Sequence, residues 1–201
     1  MDRVTEVKRK GGVATVVFLS GAVVKVPSAL YLERRVRPGD PMDPEAYRLF
    51  AAQRGYPHAL EAAMKYLALR ERSEKEVRDR LRRSCFDDST IHRVIDALQG
   101  HHLLSDQRFA RQWAQSRARK YGKSRIAQEL RFKGVSGAEA QAALAQVSEE
   151  EEFSRALEQA QKLYRKFKGE QAKVTQALIR RGYGFSIAKK AARTAAEQSG
   201  D

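Results

Sequence analysis

A pattern that occurs three times constrains this chain more than any other feature. The segment KEVRDRLRRSCFDDSTIHRVIDAL, from Lys75, aligns without gaps with SRIAQELRFKGVSGAEAQAALAQV, from Ser124, and AKVTQALIRRGYGFSIAKKAARTA, from Ala172. Val77, Ile126 and Val174 share one column, and Leu81, Leu130 and Leu178 another four residues on, the spacing of one helix face. Phe86, Val135 and Tyr183 then coincide in a turn, and Val94, Ala143 and Ala191 in the next helix. A further helix precedes each copy, with Leu60 and Met64, Phe109 and Trp113, and Phe153 and Leu157 as its apolar residues. Three helices bury one small core, and stacking of copies buries more. The expected fold is mostly α: three tandem three-helix modules over residues 57–103, 104–148 and 149–201, forming an elongated, curved array.

Residues 1–56 carry a different period. Val13, Thr15, Val17 and Leu19 alternate with Ala14, Val16 and Phe18 between Gly11-Gly12 and Ser20-Gly21. Alternation with glycine at the turns predicts a β-hairpin region of three short strands. Ser28 begins a short helix, and Asp43-Pro44 reads as the N-cap and first-turn proline of another that reaches about Arg54. Gly55-Tyr56-Pro57 then reads as the break between an auxiliary hairpin and helix region and the first module. On that reading a chain starting near Tyr56 keeps its helical structure.

Charge narrows the function. The 201 residues hold 39 Lys and Arg against 25 Asp and Glu, a net charge of +14. Such a surplus costs self-repulsion and points to a polyanionic partner. No apolar run approaches the roughly 20 residues of a membrane span, and no basic helix carries a bulky aromatic face, so a membrane is not expected as partner. The lone cysteine, Cys85, cannot form an internal disulfide, and the N-terminal residues lack a signal peptide's apolar core. A cytoplasmic monomer is expected. Gly11-Gly12 is followed by no phosphate-loop motif, the histidines by no ligand spacing, and no nucleophile–base or paired-carboxylate signature stands out. No cofactor, metal or catalytic residue is therefore expected, and the chain reads as a binding protein, not an enzyme.

The second copy with its leading helix, SDQRFARQWAQSRARKYGKSRIAQELRFKGV, carries a resemblance. Asp106, Arg108, Phe109, Ala110, Ser116, Arg117, Gly122, Ile126, Glu129, Leu130, Lys133, Gly134 and Val135 fill the pattern of the RecX family, bacterial regulators of the RecA recombinase. The first copy is similar through Leu69, Arg70, Ser73, Glu76, Leu81 and Phe86, although Ser84-Cys85 stands where glycine often precedes the aromatic residue. The third copy is rich in alanine and diverges. The resemblance implies a modulator that binds the RecA–DNA filament in its groove and suppresses ATP hydrolysis and strand exchange, in DNA repair, recombination and the SOS response. Single- and double-stranded DNA would be met through phosphates.

Two basic groups are the candidate contacts. Arg108, Arg111, Arg117, Arg119, Lys120, Lys123, Arg125, Arg131 and Lys133 face only Glu129 in the sequence between them. Several of them converge near the turn Lys120-Tyr121-Gly122-Lys123, which makes binding salt-dependent, and because Ile126 and Leu130 claim the buried face, Arg117, Lys120, Lys123 and Arg125 are expected to point to solvent. Lys162, Arg165, Lys166 and Lys168 form a secondary patch on a helix led by Glu149 to Glu152, an order that also complements the helix dipole. Three-helix modules can also resemble helix-turn-helix units, so the competing reading is a sequence-specific transcription regulator.

Overall fold

A computed structural model describes residues 2–199. The chain forms two compact units that divide between Ser105 and Asp106. The first opens with an antiparallel sheet, β1 (Val4–Lys10), β2 (Val13–Phe18) and β3 (Val23–Pro27), in the order β1-β2-β3. Lys10 pairs with Val13, so Gly11 and Gly12 alone turn the first hairpin, at φ 61° and 83°. Positive φ at both central residues is the turn whose twist matches the strands. Ala14, Val16 and Phe18 point inward and pack with Val4, Val24, Val26, Val36 and Tyr47.

Helix α1 (Ser28–Glu33) leads to α2 (Pro44–Leu67), capped by the Asp43 carboxylate on the Glu45 and Ala46 amides. Here the sequence reading needs correction. Gly55-Tyr56-Pro57 is no break, because α2 runs through it for 24 residues. Proline removes one intrahelical hydrogen bond, and the packing on both sides outweighs that loss. Gly55 is buried inside α2 beside the side chains of Thr90 and Phe86, where a Cβ would make ordinary contacts at 3.4–3.8 Å. Leu30 of α1 packs in the same core as Ala59, Leu81, Phe86 and Ile91. The hairpin region and the first module are thus joined by a shared helix and a shared core, and a cut near Tyr56 would open both.

The remaining helices fall in threes. Helices α3 (Glu74–Arg83) and α4 (Asp88–Gly100) complete the first module around α2. In the second unit α5 (Asp106–Ala118), α6 (Lys123–Phe132) and α7 (Gly137–Ala145) precede α8 (Glu149–Lys166), α9 (Gln171–Arg180) and α10 (Phe185–Glu197). The repeated columns are buried as the pattern required: Val77 and Leu81, Ile126 and Leu130, Val174 and Leu178 are each at most 1% exposed. The turn after each middle helix is the same motif. Cys85, Gly134 and Gly182 take positive φ, and the next amide, of Phe86, Val135 or Tyr183, donates to the carbonyl of Leu81, Leu130 or Leu178. This closes the helix C-terminus and turns the following apolar residue into the core.

The leading helices differ from expectation in what they bury. Alanines occupy the centre: Ala59 and Ala63, Ala110 and Ala114, Ala156 and Ala160. Phe109 is buried with them, but Leu60, Trp113, Phe153 and Leu157 flank the cores and Met64 is exposed. Small residues let the leading helix approach the other two closely, and the larger side chains close the sides.

Candidate nucleic-acid interface

In the second module α6 presents two faces. Ile126 and Leu130 enter the core, while Arg125, Gln128, Glu129 and Phe132 follow at i, i+3, i+4 and i+7 along the neighbouring face. Glu129 organises that face. Arg117 Nε and Nη2 donate to its two carboxylate oxygens at 2.8 and 2.7 Å, and Trp113 Nε1 donates to the first of these at 3.1 Å. The guanidinium lies over the Tyr121 ring at 4.4 Å and 5.6 Å from the Trp113 ring, whose face Lys133 also approaches at 4.3 Å. Arg117 holds the Glu129 carboxyl below the ordinary carboxylate range, and Glu129 in turn raises Arg117. A planar fork paired to both oxygens is a fixed structural element.

This corrects the expectation that the bases of this stretch point to solvent unopposed. Arg117 is half-buried and spent on Glu129. Lys123 is half-buried too: its amide donates to Glu152 Oε1 at 3.1 Å, and its ammonium lies 3.7 Å from Oε2. Arg125 keeps a looser contact with Glu129 at 3.5 Å and stays exposed. Arg111, Arg119, Lys120 and Arg131 are exposed, and Arg108 and Lys133 are partly buried.

The turn Lys120-Tyr121-Gly122-Lys123 is a seam between the two modules of the second unit. Gly122 N and Ser124 N donate to the carbonyls of Arg181 and Gly182, at 3.0 and 3.2 Å. The carbonyls just past the end of α9 therefore cap the N-terminus of α6, which has no side-chain cap of its own. The backbones approach so closely that a Cβ on Gly122 would overlap the Gly182 carbonyl, and one on Gly182 would overlap Arg125. Gln159 of α8 completes the joint, donating to the Arg119 carbonyl at 3.1 Å and accepting from Arg181 at 2.7 Å. Lys162 and Lys166 lie one and two turns beyond Gln159 on that side of α8. Lys162, Arg165, Lys166 and Lys168 are all exposed.

Sequence reasoning missed three participants. Glu152 and Gln159 are polar residues buried at the seam, and nothing in α8 marks them apart from its other polar positions. Phe132 is 81% exposed. Its signal was legible: it stands two residues past Leu130, on the far side from the apolar stripe. With Trp113, Arg117, Arg125, Gln128, Glu129 and Lys133 it lines an open groove of about 460 Å³.

Three family models match the chain and together span more than half of it: RecX, first three-helix domain, over residues 59–98; second, over 105–144; third, over 149–192. A regulatory protein RecX of Clostridium botulinum is 28% identical over 192 residues, 92% of this chain and 91% of the relative. Another, of Mycobacteroides abscessus, is 42% identical over 89 residues, 43% of this chain and 44% of the relative. Among solved structures, a regulatory protein RecX has a TM-score of 0.64 at 20% identity, covering 93% of this chain and 97% of its own. RecX from Lactobacillus salivarius has 0.64 at 23%, covering 70% and 96%. These two likenesses speak for the fold.

Proposed function

The chain belongs to the RecX family, and on that premise we propose that it is a regulatory binding protein that occupies RecA–DNA filaments and lowers their ATP hydrolysis and strand exchange. The observation that carries this reading is the seam at Gly122 and Gly182. There the exposed cations Arg119 and Lys120 adjoin a joint held by backbone hydrogen bonds, with exposed Lys162 one helical turn past Gln159, which bonds Arg119. A rigid, basic joint suits a surface of regularly spaced phosphates and acidic side chains, and each phosphate met there releases counterions. Arg111, Arg125, Arg131, Arg165 and Lys168 extend the cationic surface. The protein acts by binding, as a monomer in the cytoplasm, and enters recombination and repair through RecA.

The test is RecA-catalysed ATP hydrolysis on single-stranded DNA. Substoichiometric protein should lower the turnover, with the effect weakening steeply between low and moderate salt. Unchanged turnover at equimolar protein, with both proteins folded, would sink the reading. Footprinting on duplex DNA separates it from a sequence-specific regulator, which would protect discrete sites.

A further inference from the structure

The third helix of each module turns one side to its core and the other outward, so the gapless alignment compares three outward faces. On α4 that face carries Ser89, His92, Arg93 and Asp96, and its charges serve the module itself. His92 lies 3.5 Å from Asp96, and the Arg93 guanidinium stands over the Tyr56 ring at 4.6 Å. On α7 the same columns hold Ala138, Gln141, Ala142 and Ala145, exposed and without charge. On α10 they hold Ser186, Lys189, Lys190 and Arg193, again exposed, while Ala188, Ala191, Ala192 and Ala195 enter the core. A terminal repeat needs a polar outer face. It does not need a face of one sign, and α7 solvates the same positions with a single amide.

The cations of α10 are only lightly engaged. Arg193 gives Nε to Glu197 at 2.8 Å, in a pair whose side chains are 75% and 57% exposed. Lys190 approaches the Phe153 ring at 4.7 Å and stays exposed. Exposed ion pairs and exposed cation–π contacts are weak, so a phosphate can displace either. The face follows a shallow groove of about 390 Å³, lined by Ser186, Lys189, Lys190, Arg193 and Thr194, with Glu197 as the acid among them. Lysine and arginine beside hydroxyl groups are the side chains that meet phosphate oxygens.

We propose that the outer face of α10 is a sequence-independent contact for the phosphates of duplex DNA, made by Lys189, Lys190 and Arg193. The inference deepens the nucleic-acid half of the proposed function and rests on it. Helix α10 follows α9 after the four-residue turn 181–184, the order of a helix-turn-helix unit whose second helix lies on a duplex. The major groove, about 12 Å wide, admits one helix. A single strand is held by stacking successive bases on successive rings. This face instead sets one exposed ring, Phe185, ahead of three cations.

The full chain is titrated with labelled random-sequence duplexes over a range of salt, and the slope of log affinity against log salt counts the phosphates met. Lys189→Gln, Lys190→Gln and Arg193→Gln together should weaken binding to every duplex alike. They should flatten the slope by about 2 to 3, near 0.9 for each phosphate, with the melting temperature held within roughly two degrees. Lys8→Gln, Arg9→Gln and Lys10→Gln remove the same charge from the hairpin and should leave the slope as it is. An α10 variant with the parent's slope would overturn the face. Equal flattening in the hairpin variant would overturn it too, by reducing the effect to bulk charge, as would a loss confined to particular sequences. Single strands bound as tightly as duplex, and released by Phe185→Ala, would assign the face to base stacking. Polyglutamate that displaces duplex more strongly than unlabelled DNA does would assign it to an acidic protein segment. Lowered RecA ATP turnover with an unchanged slope in the α10 variant sinks this face alone, and a flattened slope without any effect on RecA sinks the filament reading alone.

Discussion

The second and third modules share one backbone plan and use their cations in opposite ways. In the gapless alignment of the repeats, Glu129 of the second module corresponds to Ala177 of the third. Where the acid is present, Arg117 of the leading helix is half-buried, forked onto a carboxylate and stacked on Tyr121. Where alanine replaces the acid, Arg165 of the leading helix is exposed. A count of bases ranks the second module first as an anion-binding surface, yet two of its bases, Arg117 and Lys123, hold the fold together. Exposure and pairing decide which charges a partner can reach, and on that measure the third module's smaller group is the equal of the second's.

The joint between the two modules offers the harshest test. Gly182→Ala adds a side chain at φ 88°, against Arg125, and should cost on the order of 3 kcal/mol or more, read by urea unfolding. Gly122→Ala, at an ordinary φ of −79°, isolates the steric part and should still destabilise strongly. If both unfold like the parent, the modules do not depend on each other at this joint.

Next in size is the acid that separates the two modules. Glu129→Ala strands the partly buried Arg117 and the Trp113 N–H and should cost about 2 kcal/mol. Its pH dependence has a definite sign. The folded-state pKa of Glu129 is depressed, so its contribution is present above the ordinary carboxylate pKa and fades as pH falls through the lower folded value. Acid titration of stability should flatten in that window for Glu129→Gln. Equal acid sensitivity of variant and parent would mean that the pair contributes nothing.

Charge reversal should then divide the groups. Arg117→Glu with Lys123→Glu should lower the melting temperature by several degrees, through about 2 kcal/mol of lost pairing. Reversing Lys162, Arg165, Lys166 and Lys168 together should leave it within a degree or two, as exposed sites do, while weakening filament binding and flattening its salt dependence. Melting curves and salt titrations on the same samples decide between the two outcomes.

The smallest effect concerns the first module's turn, where Cys85 takes φ 63° at the position filled by Gly134 and Gly182 in the others. Cys85→Gly should stabilise by about 1 kcal/mol by relieving a conformation that glycine adopts without strain. Stabilisation absent from thermal unfolding would show that the thiol's packing compensates.

The repeats, their buried columns and their turns were legible because they rest on local spacing, which a single chain displays. Gly55-Tyr56-Pro57 was misread because the same residues serve two purposes. Glycine marks a turn in one setting and sits inside a packed helix beside Thr90 in another, and only the partner helix tells them apart. The alanine-lined leading helices were hidden for a similar reason, since Leu60 and Met64 look more apolar than Ala59 and Ala63 in isolation. The charge network was the least legible part. Arg117 and Glu129 are twelve residues apart across a turn, and Lys123 meets Glu152 across the seam, beyond any local charge pattern.

The cap that α9 lends to α6 also bears on how the molecule is made. As the chain emerges from the ribosome, residues 106–145 are complete well before Gly182 has been polymerised. Until then the amides of Gly122 and Ser124 lack the carbonyls that receive them. The second module is therefore made before the groups that cap α6 exist. A chain halted before Gly182 would stay open at the turn that bears Lys120 and Lys123, so a truncated product would be loosest where its basic surface should be firmest.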